Sequence, residues 1–130
     1  MNYVIIYDGL CNLCVTFVRL LQQVDQSNQF AYVPMQAEAE LERWQITPEN
    51  CQGGMIILEG ENPENRWQGS DAAEKIISLL PAGDGLMQVY RAVPWLKPSG
   101  DYLYGLIRDH RYEWFGQRQD CYGGCDRPRE

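Results

Sequence analysis

Histidine is nearly missing from this 130-residue chain: His110 is the sole example. That excludes Ser-His-acid hydrolysis and histidine-based metal sites. Beside Arg108 and Arg111, His110 reads as a water-facing residue. Cations are also scarce, 11 Lys and Arg against 18 Asp and Glu, for a formal net charge of −7. An acidic surface repels phosphate backbones and anionic lipid heads, so neither nucleic acid nor a membrane is an expected partner. No apolar run approaches the roughly 20 residues of a membrane span. The short apolar N-terminal run lacks the basic lead of a signal peptide, so a cytoplasmic location is expected. Internal repeats and low-complexity tracts are absent. Five cysteines are too few for a disulfide scaffold. Their odd number, without a secretion signal, points to reduced, reactive or metal-binding thiols.

What is present starts with Cys11 and Cys14, directly behind the strand-like run Tyr3-Val4-Ile5-Ile6-Tyr7 and the turn Asp8-Gly9-Leu10. Unpaired N–H groups at a helix start carry partial positive charge and favour a thiolate. Thiols three apart in the first helical turn can reach each other, which suits one to attack a disulfide and the other to resolve it.

Along the chain, Leu13, Phe17, Leu20, Leu21 and Val24 form a helical stripe over residues 11–24. Phe30-Ala31-Tyr32-Val33 reads as a second strand stopped by Pro34. Residues 36–44 read as a short helix and 46–54 as a loop. Met55–Leu58 and Arg66–Gln68 pair as a hairpin across a polar turn, and Ser70 caps a helix running through Leu80. The order β-α-β-α-β-β-α describes an α/β core of about residues 1–82, with strands one and two parallel through a right-handed crossover. Residues 83–130 read as a helical extension and tail of the same single domain. Helix breaks are expected at Pro94 and Pro98, with the aromatics Tyr90, Trp95, Tyr102, Tyr104, Tyr112, Trp114 and Phe115 packed on the core.

The run Tyr7-Asp8-Gly9-Leu10-Cys11-Asn12-Leu13-Cys14 closely resembles the opening signature of the DCC family of thiol-disulfide oxidoreductases, named for D-x-x-C-x-x-C. The likeness continues in Pro34-Met35-Gln36, Ser70-Asp71-Ala72-Ala73 and Arg111-Tyr112-Glu113-Trp114-Phe115-Gly116, with Cys121 behind it. It implies a thioredoxin-like fold and a redox activity on protein or low-molecular-weight disulfides and thiols. Ordinary thioredoxins complete their substrate groove with a cis-proline before the third strand; here Gly53-Gly54 holds that place.

Candidate site residues follow. Cys11, at the free helix end, is expected to be the more exposed and more acidic attacking thiol, and Cys14 the resolving one. Asp8 has two readings, a helix cap or the proton acceptor for Cys14. As a cap, its replacement by Asn is expected to cost about 1 kcal/mol or less. Gly53, Gly54, Ser70 and Asp71 are candidate substrate-binding positions. Gly69-Ser70-Asp71 resembles the turn by which glutaredoxins hold glutathione, but reads first as an ordinary Ser cap with a first-turn acid. Cys121 and Cys125 have three readings: a four-thiolate zinc site with Cys11 and Cys14, a relay disulfide, or a mobile tail. Cys51 reads as an unpaired small residue. No cofactor or metal is required, since the cysteines carry the electrons. The rival is a non-catalytic zinc- or partner-binding module built on Cys11, Cys14, Cys121 and Cys125.

Overall fold

The computed structural model describes residues 2–25, 28–81, 83–117 and 121–122. Strand β1 (Tyr3–Tyr7) leads to α1 (Asn12–Val24), β2 (Phe30–Pro34), α2 (Glu38–Arg43), a 3-10 helix (Pro48–Gly53), β3 (Ile56–Glu59), β4 (Arg66–Gln68) and α3 (Ser70–Leu79). The strands form one mixed sheet in the order β2-β1-β3-β4. β1 runs parallel to β2 and antiparallel to β3, and β3 runs antiparallel to β4. This is a thioredoxin-like α/β arrangement.

Alternation along the two central strands sorts the core onto two faces. Val4 and Ile6 of β1, with Ile56 and Leu58 of β3, pack against Leu41, Ile46 and Cys51. On the opposite face Ile5 and Ile57 pack against Leu21, Ala72 and Ile76. Helices α1 and α3 therefore share one face, and α2 with the 3-10 helix covers the other. The α1 stripe is narrower than its sequence suggests. Val15, Val18 and Leu21 are buried, whereas Leu20 and Val24 are exposed. Pro34 ends β2 but still pairs with Tyr7; β2 is an edge strand, where a missing N–H costs no ladder bond. The expected loop over residues 46–54 contains the 3-10 helix, started by a reciprocal cap between Thr47 and Asn50.

Beyond the core come α4 (Gly83–Ala92), α5 (Leu96–Asp109) and α6 (Arg111–Phe115). Pro94 falls between α4 and α5, as expected, but Pro98 lies inside α5. It occupies the first turn, where its absent N–H would have had no helical partner. The aromatics of this extension do not all anchor it. Trp95, Tyr102, Trp114 and Phe115 are exposed. Polar contacts anchor it instead. Glu74, buried on α3, meets Arg91 at 3.0 Å and also Lys97, which in turn binds Asp71 and Asp101. Burial works against the Lys97 charge, but these carboxylates outweigh it and raise its pKa. They are the sole group of three potential metal ligands among the described residues, and the Lys97 ammonium pairs with each of them.

At the α3–α4 junction the Gly83 N–H bonds to the Leu80 carbonyl at 2.9 Å. A Cβ on Gly83 would lie 1.6 Å from the Ile77 carbonyl oxygen. Because backbone rather than a flexible side chain is in the way, Gly83→Ala should destabilise the protein by about 1–3 kcal/mol. Urea unfolding of the two proteins measures this; an unchanged midpoint would show the junction to be looser than described.

Candidate active site

Strand β1 ends by aiming the chain at the turn 8–10, and Cys11 then caps α1. Its backbone is extended (φ −96°, ψ 121°) and its sulfur accepts the Cys14 N–H at 3.3 Å. A sulfur therefore occupies the place where a Ser or Asp oxygen usually satisfies a free helix amide. The Cys11 pKa comes down to about 7. The first cause is the Cys14 thiol donating to it, with the Cys14 and Leu13 amides adding to the effect; burial and Asp8 oppose it. Cys14 moves far upward, because it gives its proton to that bond, because it is desolvated, and because Cys11 and Asp8 are negative. Cys11 is thus the more acidic thiol, as expected.

Its expected exposure is overturned. Cys11 is 0 % exposed, whereas Cys14 is half-buried. The chain after α6 crosses the helix end: Gln117 forms an antiparallel bridge with Cys11, and the Asn12 N–H reaches the Gly116 carbonyl at 3.3 Å. The Asn12 side chain also donates to the Phe115 carbonyl at 2.8 Å. Cys14 instead borders an open-sided pocket of about 200 Å³. Leu13, Phe17, Met35 and Met55 give it apolar walls, and Asp8, Arg108 and Arg111 give it charge. Cys51, which reads from sequence as an idle small residue, lines the same pocket. Burial pushes its thiol up to about 11, so it stays protonated at neutral pH.

Asp8 does not cap α1, since Cys11 does. Its buried carboxylate accepts from the Leu10 N–H at 2.9 Å, from Gln36 Nε2 at 2.8 Å, from Arg111 Nε at 3.3 Å and from the Tyr112 hydroxyl. Gln36 also receives the Gly9 N–H at 3.0 Å. Burial and the bond to Asp8 push Tyr112 up to about 12, so it remains a donor. Sequence reasoning missed Gln36, Tyr104, Arg108, Arg111 and Tyr112 as site residues. Three of them, Gln36, Arg111 and Tyr112, stand in the motifs that carry the family resemblance, which was the available signal.

The remaining candidates divide. Gly54 lines the pocket, and the Gly53 carbonyl accepts Arg108 Nη1 at 3.2 Å. There is no cis peptide before β3 among the described residues. Tyr104 of α5 fills that ground, its hydroxyl accepting the Met55 N–H at 3.1 Å. A Cβ on Gly54 would lie 2.9 Å from this hydroxyl, and Gly54 has φ +113°, so glycine is required twice over. Ser70 is not the cap of α3; Gly69 is, with φ 68°. The Ser70 hydroxyl donates to Asp101 and Asp71 pairs with Lys97, so α5 engages the side chains of both residues proposed for glutathione and sets the Asp101 carboxylate beside the helix start. His110 is half-buried and stacks on Trp114 with ring centres 4.9 Å apart.

Cys121 sits behind the turn, its sulfur 3.5 Å from Gln36 Oε1. It is disulfide-bonded, whereas Cys11, Cys14 and Cys51 are free. A four-thiolate site with Cys11 and Cys14 would need that sulfur as a thiolate. Cys125 lies outside the described residues.

The DCC1-like thiol-disulfide oxidoreductase family matches residues 5–117. The chain belongs to that family. It is also 28 % identical over 123 residues to the uncharacterized protein YuxK of Bacillus subtilis (strain 168), an alignment covering 92 % of this chain and 85 % of that one. No solved structure matches. The family match spans the dithiol turn, Gln36 and the Arg111–Tyr112 pair, which are the residues that meet at Asp8. Among the described residues no helix is long and apolar enough to cross a membrane.

Two outcomes follow. Thiolate absorbance of the reduced protein should rise with a midpoint near pH 7, and Cys11→Ser should remove that step. Because the folded pKa lies below the unfolded one near 9, reduced wild type should gain stability over Cys11→Ser as pH rises from about 7 to 9, and lose it on the way down. Asp8→Asn leaves the Arg111 cation without its carboxylate in a largely buried setting. It should therefore cost roughly 3 kcal/mol in chemical denaturation, not the smaller loss expected of a cap. A loss below about 1 kcal/mol would return Asp8 to a local turn role.

Proposed function

We propose that this protein catalyses thiol-disulfide exchange with its Cys11/Cys14 pair, the substrate entering at Cys14 and Cys11 acting as leaving group and resolving thiolate. The carrying observation is the split between the two sulfurs: the acidic one is covered, and the other borders the pocket. In the oxidised pair, an incoming thiolate attacks the Cys14 sulfur in line with the Cys14–Cys11 bond. A bond forms from substrate sulfur to Cys14, the bond to Cys11 breaks, and the electron pair leaves on Cys11. A leaving thiol of low pKa departs faster, and the α1 amides receive the new charge without reorganising. A second substrate thiolate then attacks the bound substrate sulfur, releasing a substrate disulfide and Cys14, which takes up one proton.

Run in reverse, Cys14 gives its proton to solvent and attacks a substrate disulfide, forming a bond to one substrate sulfur and expelling the other as a thiolate. The Cys11 thiolate next displaces the substrate sulfur from Cys14, and the pair is left oxidised. Both directions balance with thiols and disulfides alone, so no cofactor enters. Asp8 positions rather than catalyses. Its carboxylate holds the turn and carries its negative charge near both sulfurs, which keeps Cys11 less acidic than helix amides alone would make it. The zinc-module reading finds no support in the disulfide state of Cys121.

Cys11→Ser incubated with a small disulfide should accumulate a stable adduct on Cys14, because the resolving sulfur is gone. Wild type under the same conditions should form only a transient adduct, captured by acid quench and located by tandem mass spectrometry. An adduct found on Cys11 in wild type would reverse the two roles.

A further inference from the structure

We infer that the substrate of this site is a small thiol or disulfide with an apolar body and an anionic group, and neither a protein nor glutathione; this rests on the exchange reaction at Cys14 proposed above. Three observations meet in it. The first is a set of closed routes. A protein substrate docking by its backbone along the start of β3 would need the Met55 N–H, which Tyr104 already holds at 3.1 Å. A glutathione carboxylate would meet the Asp101 carboxylate on the Ser70 hydroxyl at the start of α3, and its amine would compete with Lys97 for Asp71.

The second is size and polarity. The pocket beside Cys14 has about 200 Å³, somewhat more than the apolar cavity of about 150 Å³ that accepts a benzene ring. Leu13, Phe17 and Met55 offer no hydrogen bonds to peptide groups, so a tripeptide would leave polar groups unpaired there.

The third is charge. Asp8 and Arg111 neutralise each other at 3.3 Å. Arg108 spends Nε on the exposed Asp109 and Nη1 on the Gly53 carbonyl, and its Nη2 makes no hydrogen bond among the described residues. Among the side chains lining the pocket two cations thus stand against one carboxylate, Arg108 meeting Asp109 outside the wall, in a chain whose net charge is −7. Partial desolvation makes the Arg108 cation count for more than it would at the surface.

The test uses the full-length oxidised protein and stopped-flow reduction of its Cys11–Cys14 disulfide by four thiols: 4-mercaptophenylacetate, the corresponding amide, glutathione and reduced unfolded ribonuclease. Rates are normalised to the thiolate present. The aromatic acid should outrun its amide roughly fivefold through the extra cation. Both should outrun glutathione and the protein thiols by more than about tenfold through burial of the ring. Arg108→Met should erase the acid-to-amide ratio, and Arg108→Lys should keep most of it. Glutathione or ribonuclease reacting as fast as the aromatic acid would overturn this substrate class while leaving the exchange reaction standing. A disulfide that forms but is reduced by none of the four would overturn both.

Discussion

One buried carboxylate holds the active-site end of this molecule together. Asp8 follows β1 as the first residue of the dithiol turn, and the donors that reach it come from three separate pieces of chain. Leu10 belongs to the turn itself, Gln36 to the connection after β2, and Arg111 with Tyr112 to α6 at the far end of the sequence. A charge taken out of water must be paired and hydrogen-bonded or it destabilises the fold. The site geometry is therefore not free to vary while Asp8 stays charged. Fixing Asp8 fixes the turn, and fixing the turn seats Cys11 on the α1 amides.

The same carboxylate explains why a helical extension belongs to a redox site. By drawing α6 onto the turn, it brings the following Gly116 and Gln117 across Cys11. From the other side, α5 is clamped to α3 through Lys97 and Glu74 and delivers Tyr104 to the Met55 amide and Arg108 to the pocket. The extension thus fills the two places where the resemblance would put a substrate, and it supplies one wall of the opening that remains. Chemistry and access are divided between two parts of the chain. The core provides sulfurs and helix amides, and the extension decides what can approach them.

Stabilising a thiolate beside a carboxylate looks contradictory, and the balance of contacts resolves it. Asp8 raises both cysteines, while the Cys14 thiol and two amides lower Cys11 by more. Arg111 offsets part of the Asp8 field at Cys14. The outcome is a pair in which Cys11, covered by Gln117, takes the charge more readily, because the Cys14 side chain and the helix-end amides are there to receive it.

Much of this was legible in the residues alone. The short apolar runs Tyr3–Tyr7 and Ile56–Glu59, and the spacing Asp8, Cys11, Cys14, indicated the core strands and the dithiol at a helix start, because apolar runs and turn chemistry are local properties. Position in the first helical turn pointed to Cys11 as the more acidic thiol, but the Cys14 hydrogen bond, the burial of Cys14 and the Asp8 charge that widen the gap belong to the folded site. What only the tertiary structure decided came from segments distant in sequence. Cys11 is covered because Gln117 returns to it; Ser70 and Asp71 are occupied because α5 lies over them; Trp114 and Phe115 stay exposed because Arg111 and Tyr112 do the anchoring. A charged anchor buried by long-range contacts has no periodicity to read, since Arg111 looks like a surface residue until Asp8 is placed beside it. That is why the sequence placed two thiols at a helix start, while the fold decided which of them borders the pocket.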